Sequence, residues 1–202
     1  MAVERRATDG HCFGACEVPL PARSVDDTEA EVRRVLAKLD AAGARQRLLR
    51  VLANSATGFR PFVLLTSSLL SGPHLPRRIQ EIVILHLAAR HQVRYEWEEH
   101  VPMALAAGVP ESLVLSIQRS RGVDDDPLFS APELLAARFA DQVLAGCPLG
   151  GQRWDAAVRE WGTEGALDLL MTVAVWGALV PALVTGLGLR HADTVAGSDL
   201  AR

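Results

Sequence analysis

The apolar positions of this chain recur with a helical period through most of its length. Asp26, Asp27 and Thr28 can cap a first helix through EAEVRRVLAKLDAAG, with Val32, Val35, Leu36 and Leu39 on its inner face and Gly43 at its end. A second helix is expected from Gln46 to Asn54. Arg60-Pro61 opens a third, through PFVLLTSSLLSG, with Pro at a tolerated early position. After the turn Ser71-Gly72-Pro73, a fourth runs from Pro76 to about His91. Its Ile79, Ile82, Val83, Ile84, Leu85, Leu87 and Ala88 are too continuous for a surface helix, which predicts a central one. A fifth spans about Val93 to Ala107, stops at Gly108, and is expected to kink at Pro102 just after His100. A short sixth follows Val109-Pro110-Glu111-Ser112 to about Gln118. Ser130-Ala131-Pro132-Glu133 starts a seventh, to about Leu144. Gly150-Gly151 precedes a helix around Trp154 to Trp161, and Thr163 caps a last apolar segment through Gly186. No segment reads as a strand, so the pattern predicts an all-α fold. Residues 1–25, broken by Gly10, Gly14, Pro19 and Pro21, read as an N-terminal arm, flexible or wrapping a neighbour. Residues 26–202 read as a single helical domain.

Nearly half of the 202 residues are hydrophobic, enough for a sizeable core. The net charge of −3 makes no electrostatic case for nucleic acid. The N-terminal MAVERRATDGHCFGACEVPLPARS has no apolar leader, and three cysteines form no disulfide framework. The chain is therefore expected in the cytoplasm. Leu169 to Leu189 carries no charge and is long enough for a membrane span. Pro181 and Gly177, Gly186 and Gly188 interrupt it, and only Arg190 resembles a flanking anchor. The expectation is a buried helix in the core or a subunit interface, with no membrane involved. A helix apolar all round must be covered by something, which in a chain this size suggests a homo-oligomer.

The candidate chemistry clusters between Leu75 and Pro110. Glu96 and His100 are four residues apart, on one helical face, beside Val93, Trp97, Val101 and Ala104. An imidazole beside a carboxylate at the edge of an apolar core is a plausible acid–base pair, with His100 moving the proton and Glu96 orienting it. The bland alternative is a surface i,i+4 pair contributing a few tenths of a kcal/mol. Glu81 lies in an apolar run and needs a partner there. It is either a second member of a proton relay or half of a salt bridge to Arg77, Arg78 or Arg94. Arg77 and Arg78 either clamp a substrate carboxylate or are surface charges. Tyr95 and Trp97 either wall a pocket or belong to the core. His11-Cys12 and Cys16 lack the spacing of a zinc knuckle and have no second ligand pair, so no metal is expected. Glu81, Glu96 and His100 as three metal ligands is a minor option.

The pattern L-P-R-R-x-x-E-I-V-I-L-x-x-A, then Y-E-W-x-x-H-x-x-x-A-x-x-A-G-V, resembles the carboxymuconolactone decarboxylase family, which shares an all-helical fold with alkylhydroperoxidase D. The resemblance is tightest over residues 75–120 and looser through Arg60-Pro61, Trp154 and the last apolar helix. It implies an alkylhydroperoxidase D-like bundle assembled as a homotrimer or homohexamer. It also implies a cofactor-free lyase or isomerase acting on a small carboxylated or lactone-like molecule, with His100, Glu96 and Glu81 at its site. In the peroxidase branch a Cys-x-x-Cys pair precedes the His, but here Val93 and Glu96 stand at those positions, so thiol chemistry is excluded at this site. Peroxidase-like activity would fall to Cys12 and Cys16. Gln80 and His86 stand where relatives often have Arg, near the expected pocket. A non-catalytic oligomer that binds a small ligand on the same fold is the alternative.

Overall fold

A computed structural model describes residues 20–24, 30–41, 47–119 and 126–189. Among these residues the chain is all-helical, with no strand. The helices are α1 (Ala30–Ala41), α2 (Arg47–Leu52), α3 (Phe59–Ser71), α4 (Arg77–His91), α5 (Arg94–Ala106), α6 (Glu111–Arg119), α7 (Ala131–Leu144), α8 (Gln152–Ala174) and α9 (Val180–Gly186). A π-helical turn, Val175–Leu179, joins α8 to α9. The cap expected at Asp26 to Thr28, the stop at Gly43, Cys12, Cys16 and the arm up to residue 19 lie outside the described residues. Residues 20–24 run along α2 of their own chain, where Arg23 N–H donates to Arg50 O and Asn54 Nδ2 to Pro21 O.

The continuous apolar run of α4 makes it the axis of the fold. Every residue from Ile79 to Ala88 is buried, and α4 packs against α3, α5, α6, α7 and α8. Toward α7, α8 and α9, Ile79, Val83, Ile84 and Leu87 join Phe139, Leu169, Val173, Trp176 and Val180. On the opposite side, Ile82 and Leu85 meet Trp97, Val101, Leu113 and Ile117. A third cluster, Leu36, Leu49, Ala53 and Phe59, ties α1, α2 and the start of α3 together. Each such side chain contributes about 1.5–3 kcal/mol on full burial. Each polar side chain carried inward with α4 has at least one partner, while Gln80 Oε1 accepts no hydrogen bond among the described residues. Gln80 Nε2 donates to Leu69 O at 2.7 Å. His86 Nε2 lies 2.8 Å from Asp141 Oδ1. Arg78 Nε donates to Glu133 Oε1 at 2.7 Å, and its Nη1 to the Gly108 carbonyl. Glu133 in turn accepts the Ser130 N–H at 2.8 Å and secures the start of α7.

The turn between α4 and α5 sets the register of the site. Gln92 adopts a left-handed conformation (φ 55°), and Val93 N–H returns to Ala88 O, which closes α4 and reverses the chain. Roughly 15 Å of helix leads from Glu81 to the turn, and roughly 10 Å leads back to His100. The two side chains therefore come within reach of one another. α5 continues through Pro102 to Ala106.

The last apolar segment is one helical stretch with two local breaks. Gly162 (φ 72°, ψ 173°) bends it where the pattern expects two helices to meet. Pro181 has no N–H to offer the Gly177 carbonyl, and its ring crowds that oxygen. Just before it the helix widens, and Val180 N–H reaches Val175 O, five residues back. Gln152–Gly186 is the one stretch among the described residues with the length and hydropathy of a membrane span, a test that core helices also pass. Its inner face, Leu169, Val173, Trp176, Val180 and Val184, belongs to the main core, as the sequence predicts. Leu167, Met171 and Leu179 are exposed.

Gly165 marks the closest approach of α8 to the α3–α4 connection. A Cβ there would lie 2.6 Å from both the His74 carbonyl oxygen and Trp161 Cβ. Gly165→Ala is expected to lower stability by about 1–3 kcal/mol through overpacking. Urea denaturation checks this, and an unchanged midpoint would rule out the close approach.

Candidate active site

Four of the sequence-predicted residues meet inside the α4–α5 hairpin. The carboxylate of Glu81 is fully buried. Its Oε2 lies 2.9 Å from His100 Nδ1, and its Oε1 is in ion-pair contact with the Arg77 guanidinium. That second contact is a charge contact rather than an aligned hydrogen bond, because Oε1 lacks a hydrogen-bond partner. Arg77 is held in place by its own bond from Nη1 to Leu70 O at 3.1 Å. On the other side of the imidazole, Nε2 stands 3.6 Å from Glu96 Oε2. The four groups thus form a chain, Arg77–Glu81–His100–Glu96, reaching from a half-exposed guanidinium to a nearly buried carboxylate. The sequence reading places Glu96 as the partner that orients His100. In the structure the closer contact is with Glu81.

The outer end of this chain faces a cavity of about 80 Å³, room for several waters or a small molecule. Glu96, Glu99, His100 and Met103 of α5 form one wall. Leu48 and Leu49 of α2, Phe62, Thr66 and Leu70 of α3, and Trp176 and Val180 from the π turn and α9 line the rest of it, with Tyr95 at the base of α5, and it is partly open to solvent. Trp176 meets the His100 ring edge-on, with centroids 6.1 Å apart and planes at 85°. Tyr95 Oη accepts a hydrogen bond from Leu48 N–H at 3.0 Å, which ties α2 to α5.

The remaining candidates divide. Tyr95 lines the cavity. Trp97 does not, and packs with Ile82, Leu85 and Val101 on the far side of α4. Arg77 sits behind the Leu70 and Met103 wall, in contact with Glu81. Arg78 is engaged with Glu133 and Gly108, outside the lining. Gln80 and His86 also lie outside it, on Leu69 and Asp141. Trp176 and Glu99 are cavity residues that the sequence reading passes over. The sequence signal for Trp176 is Pro181, whose local widening of the helix brings a large ring to the site. Among the described residues no group of three metal-ligating side chains comes together. No protein-family model, no curated protein and no solved structure matches this chain.

Burial pushes the Glu96 carboxyl up to about 7, against the pull of His100 and with a further push from Glu99. A carboxyl raised in the folded state stabilises the fold while it is protonated. That contribution is present below about pH 4.5 and is lost as pH rises through about 7. Glu96→Gln mimics the protonated acid and removes the dependence. Wild type should therefore lose stability relative to Glu96→Gln between about pH 4.5 and 7, read from urea midpoints at several pH values. Parallel stability curves would mean that the carboxyl is in contact with bulk water.

Proposed function

We propose that this chain is a cofactor-free acid–base enzyme of the lyase or isomerase type, similar to carboxymuconolactone decarboxylase. Its substrate is a small molecule of the lactone-like or carboxylated kind, and its fold is the alkylhydroperoxidase D-like bundle. The observation that carries the reading is the inward-facing chain Glu81–His100–Glu96, ending at an apolar-walled cavity. Glu81 Oε2 accepts a hydrogen bond from His100 Nδ1–H and so holds the ring in the tautomer whose unprotonated Nε2 faces Glu96. His100 Nε2 takes or gives the proton, and Glu96 stabilises its cationic form. In a decarboxylation the carbon–carboxylate bond breaks, its electron pair moves into a conjugated carbonyl, and His100 then protonates the carbon. Isomerisation uses the same groups to take a proton from one carbon and return it to another.

The alternative, a non-catalytic ligand-binding protein of the same fold, has no need to turn these groups inward. Glu96 and His100 are only 5% and 6% exposed, which favours the enzyme. The same reading expects a cytoplasmic homotrimer or homohexamer; the uncovered Leu167, Met171 and Leu179 support only that some partner covers this face. The test is turnover of 4-carboxymuconolactone and of uncarboxylated lactones. Carbon dioxide release and deuterium exchange beside the carbonyl are followed by NMR. His100→Ala should retain its helical circular dichroism and lose about 10²–10⁴-fold in rate. Turnover that survives this change would move catalysis away from His100, and a wild type inert on the whole panel would leave the binding protein.

A further inference from the structure

A cation reaches the Glu81–His100 pair from behind the cavity wall. The Arg77 guanidinium is in ion-pair contact with Glu81, is anchored through Nη1 on Leu70 O at 3.1 Å, and sets Nη2 3.6 Å from Met103 Sδ. Leu70 and Met103 line the cavity and Arg77 does not, so it is placed to act on Glu81 rather than on a bound molecule. Among the described residues, the charged groups in contact with Glu81 are Arg77 and His100. The other ionisable groups at the cavity, Tyr95, Glu96 and Glu99, all belong to α5, and α2, α3, the π turn and α9 line it with none. Glu81 and His100 are joined by one hydrogen bond of 2.9 Å, so they take up a proton as a pair. Without that proton Glu81 is a carboxylate, the ring carries hydrogen on Nδ1, and Nε2 is bare. With it Nε2 carries hydrogen and cannot act as a base. The unloaded pair has a net negative charge inside the core, which burial disfavours. A guanidinium keeps its positive charge at any working pH and opposes that penalty.

We infer that Arg77 is a positioning residue for the proposed reaction: through Glu81 it extends to lower pH the range in which His100 Nε2 is bare and can act as the base. The inference rests on the catalytic reading for its consequence and on the buried Arg77–Glu81–His100 contacts for its physics.

The ring nitrogens report this without turnover. Long-range proton–nitrogen NMR spectra of the full chain, labelled at histidine, are followed against pH, with His100 assigned by its loss in His100→Ala. In wild type the ring seen at high pH should carry its hydrogen on Nδ1. In Arg77→Gln the pH at which Nε2 gains its proton should rise by about one to three units. Arg77→Lys keeps the charge and should undo most of that rise. Arg78→Gln removes the neighbouring guanidinium, which is engaged with Glu133 and Gly108, and should leave the midpoint in place. The acid limb of kcat/KM should move with the NMR midpoint. A high-pH wild-type ring protonated on Nε2, no rise in Arg77→Gln, no recovery in Arg77→Lys, or an equal rise in Arg78→Gln would each overturn the inference. The wild-type tautomer decides alone if Arg77→Gln does not fold. A chain inert on the lactone panel but shifted in Arg77→Gln loses the catalytic reading and keeps the control of His100 by Arg77. Turnover that depends on His100, with no shift in Arg77→Gln, removes this inference alone.

Discussion

A fully buried carboxylate is the constraint around which this structure is arranged. Glu81 lies inside α4, buried with every residue from Ile79 to Ala88, where an isolated charge is prohibitively expensive. It is tolerable because Arg77 reaches it from one turn earlier on α4 and His100 reaches it from α5. Removing one partner from such a pair typically costs about 3–5 kcal/mol. The α4–α5 hairpin must therefore hold its register, and the left-handed Gln92 at its tip belongs to the same requirement. A salt bridge this deep is a poor way to gain stability, since apolar residues of similar volume often do as well. Its position against a cavity is what gives it a chemical sense.

The protein contains a useful internal comparison. His86 and Asp141 are also an imidazole and a carboxylate in close contact, 2.8 Å apart, on α4 and α7. Neither borders the cavity of the site. Asp141 is also approached by Arg90 at 3.3 Å, and the group reads as a tie between two helices. The residue types are the same as at Glu81 and His100. What differs is the space beside the second ring nitrogen. At His100 that nitrogen faces Glu96, with Trp176 edge-on to the ring. The π turn that delivers Trp176 follows from Pro181, so a local backbone defect in the C-terminal helix becomes part of the site wall.

The periodicity of the apolar residues made the helices legible, and several boundaries came with them. Ser130 and Glu133 marked the start of α7, Gly108 the end of α5, and the cap expected at Thr163 falls next to the bend at Gly162 in the long C-terminal stretch. The spacing of Glu96 and His100 put them on one face, which is a local property of any helix. Arg78 and Trp97 were not separable from Arg77 and Tyr95 by sequence. Neighbours on a helix differ by about 100° in direction, and which direction is inward depends on what packs there.

The sequence by itself determined the all-helical class, the central place of α4 and the pairing of Glu96 with His100, because each follows from helical period and composition within one segment. Only the tertiary structure decided that Glu81 is the closer partner of His100, that Arg77 is engaged with it, and that Trp176 and Glu99 stand at the cavity. Those contacts join residues far apart in the chain or select among adjacent ones. They are set by the angle of a turn and by packing between helices, neither of which is written into any single stretch of residues.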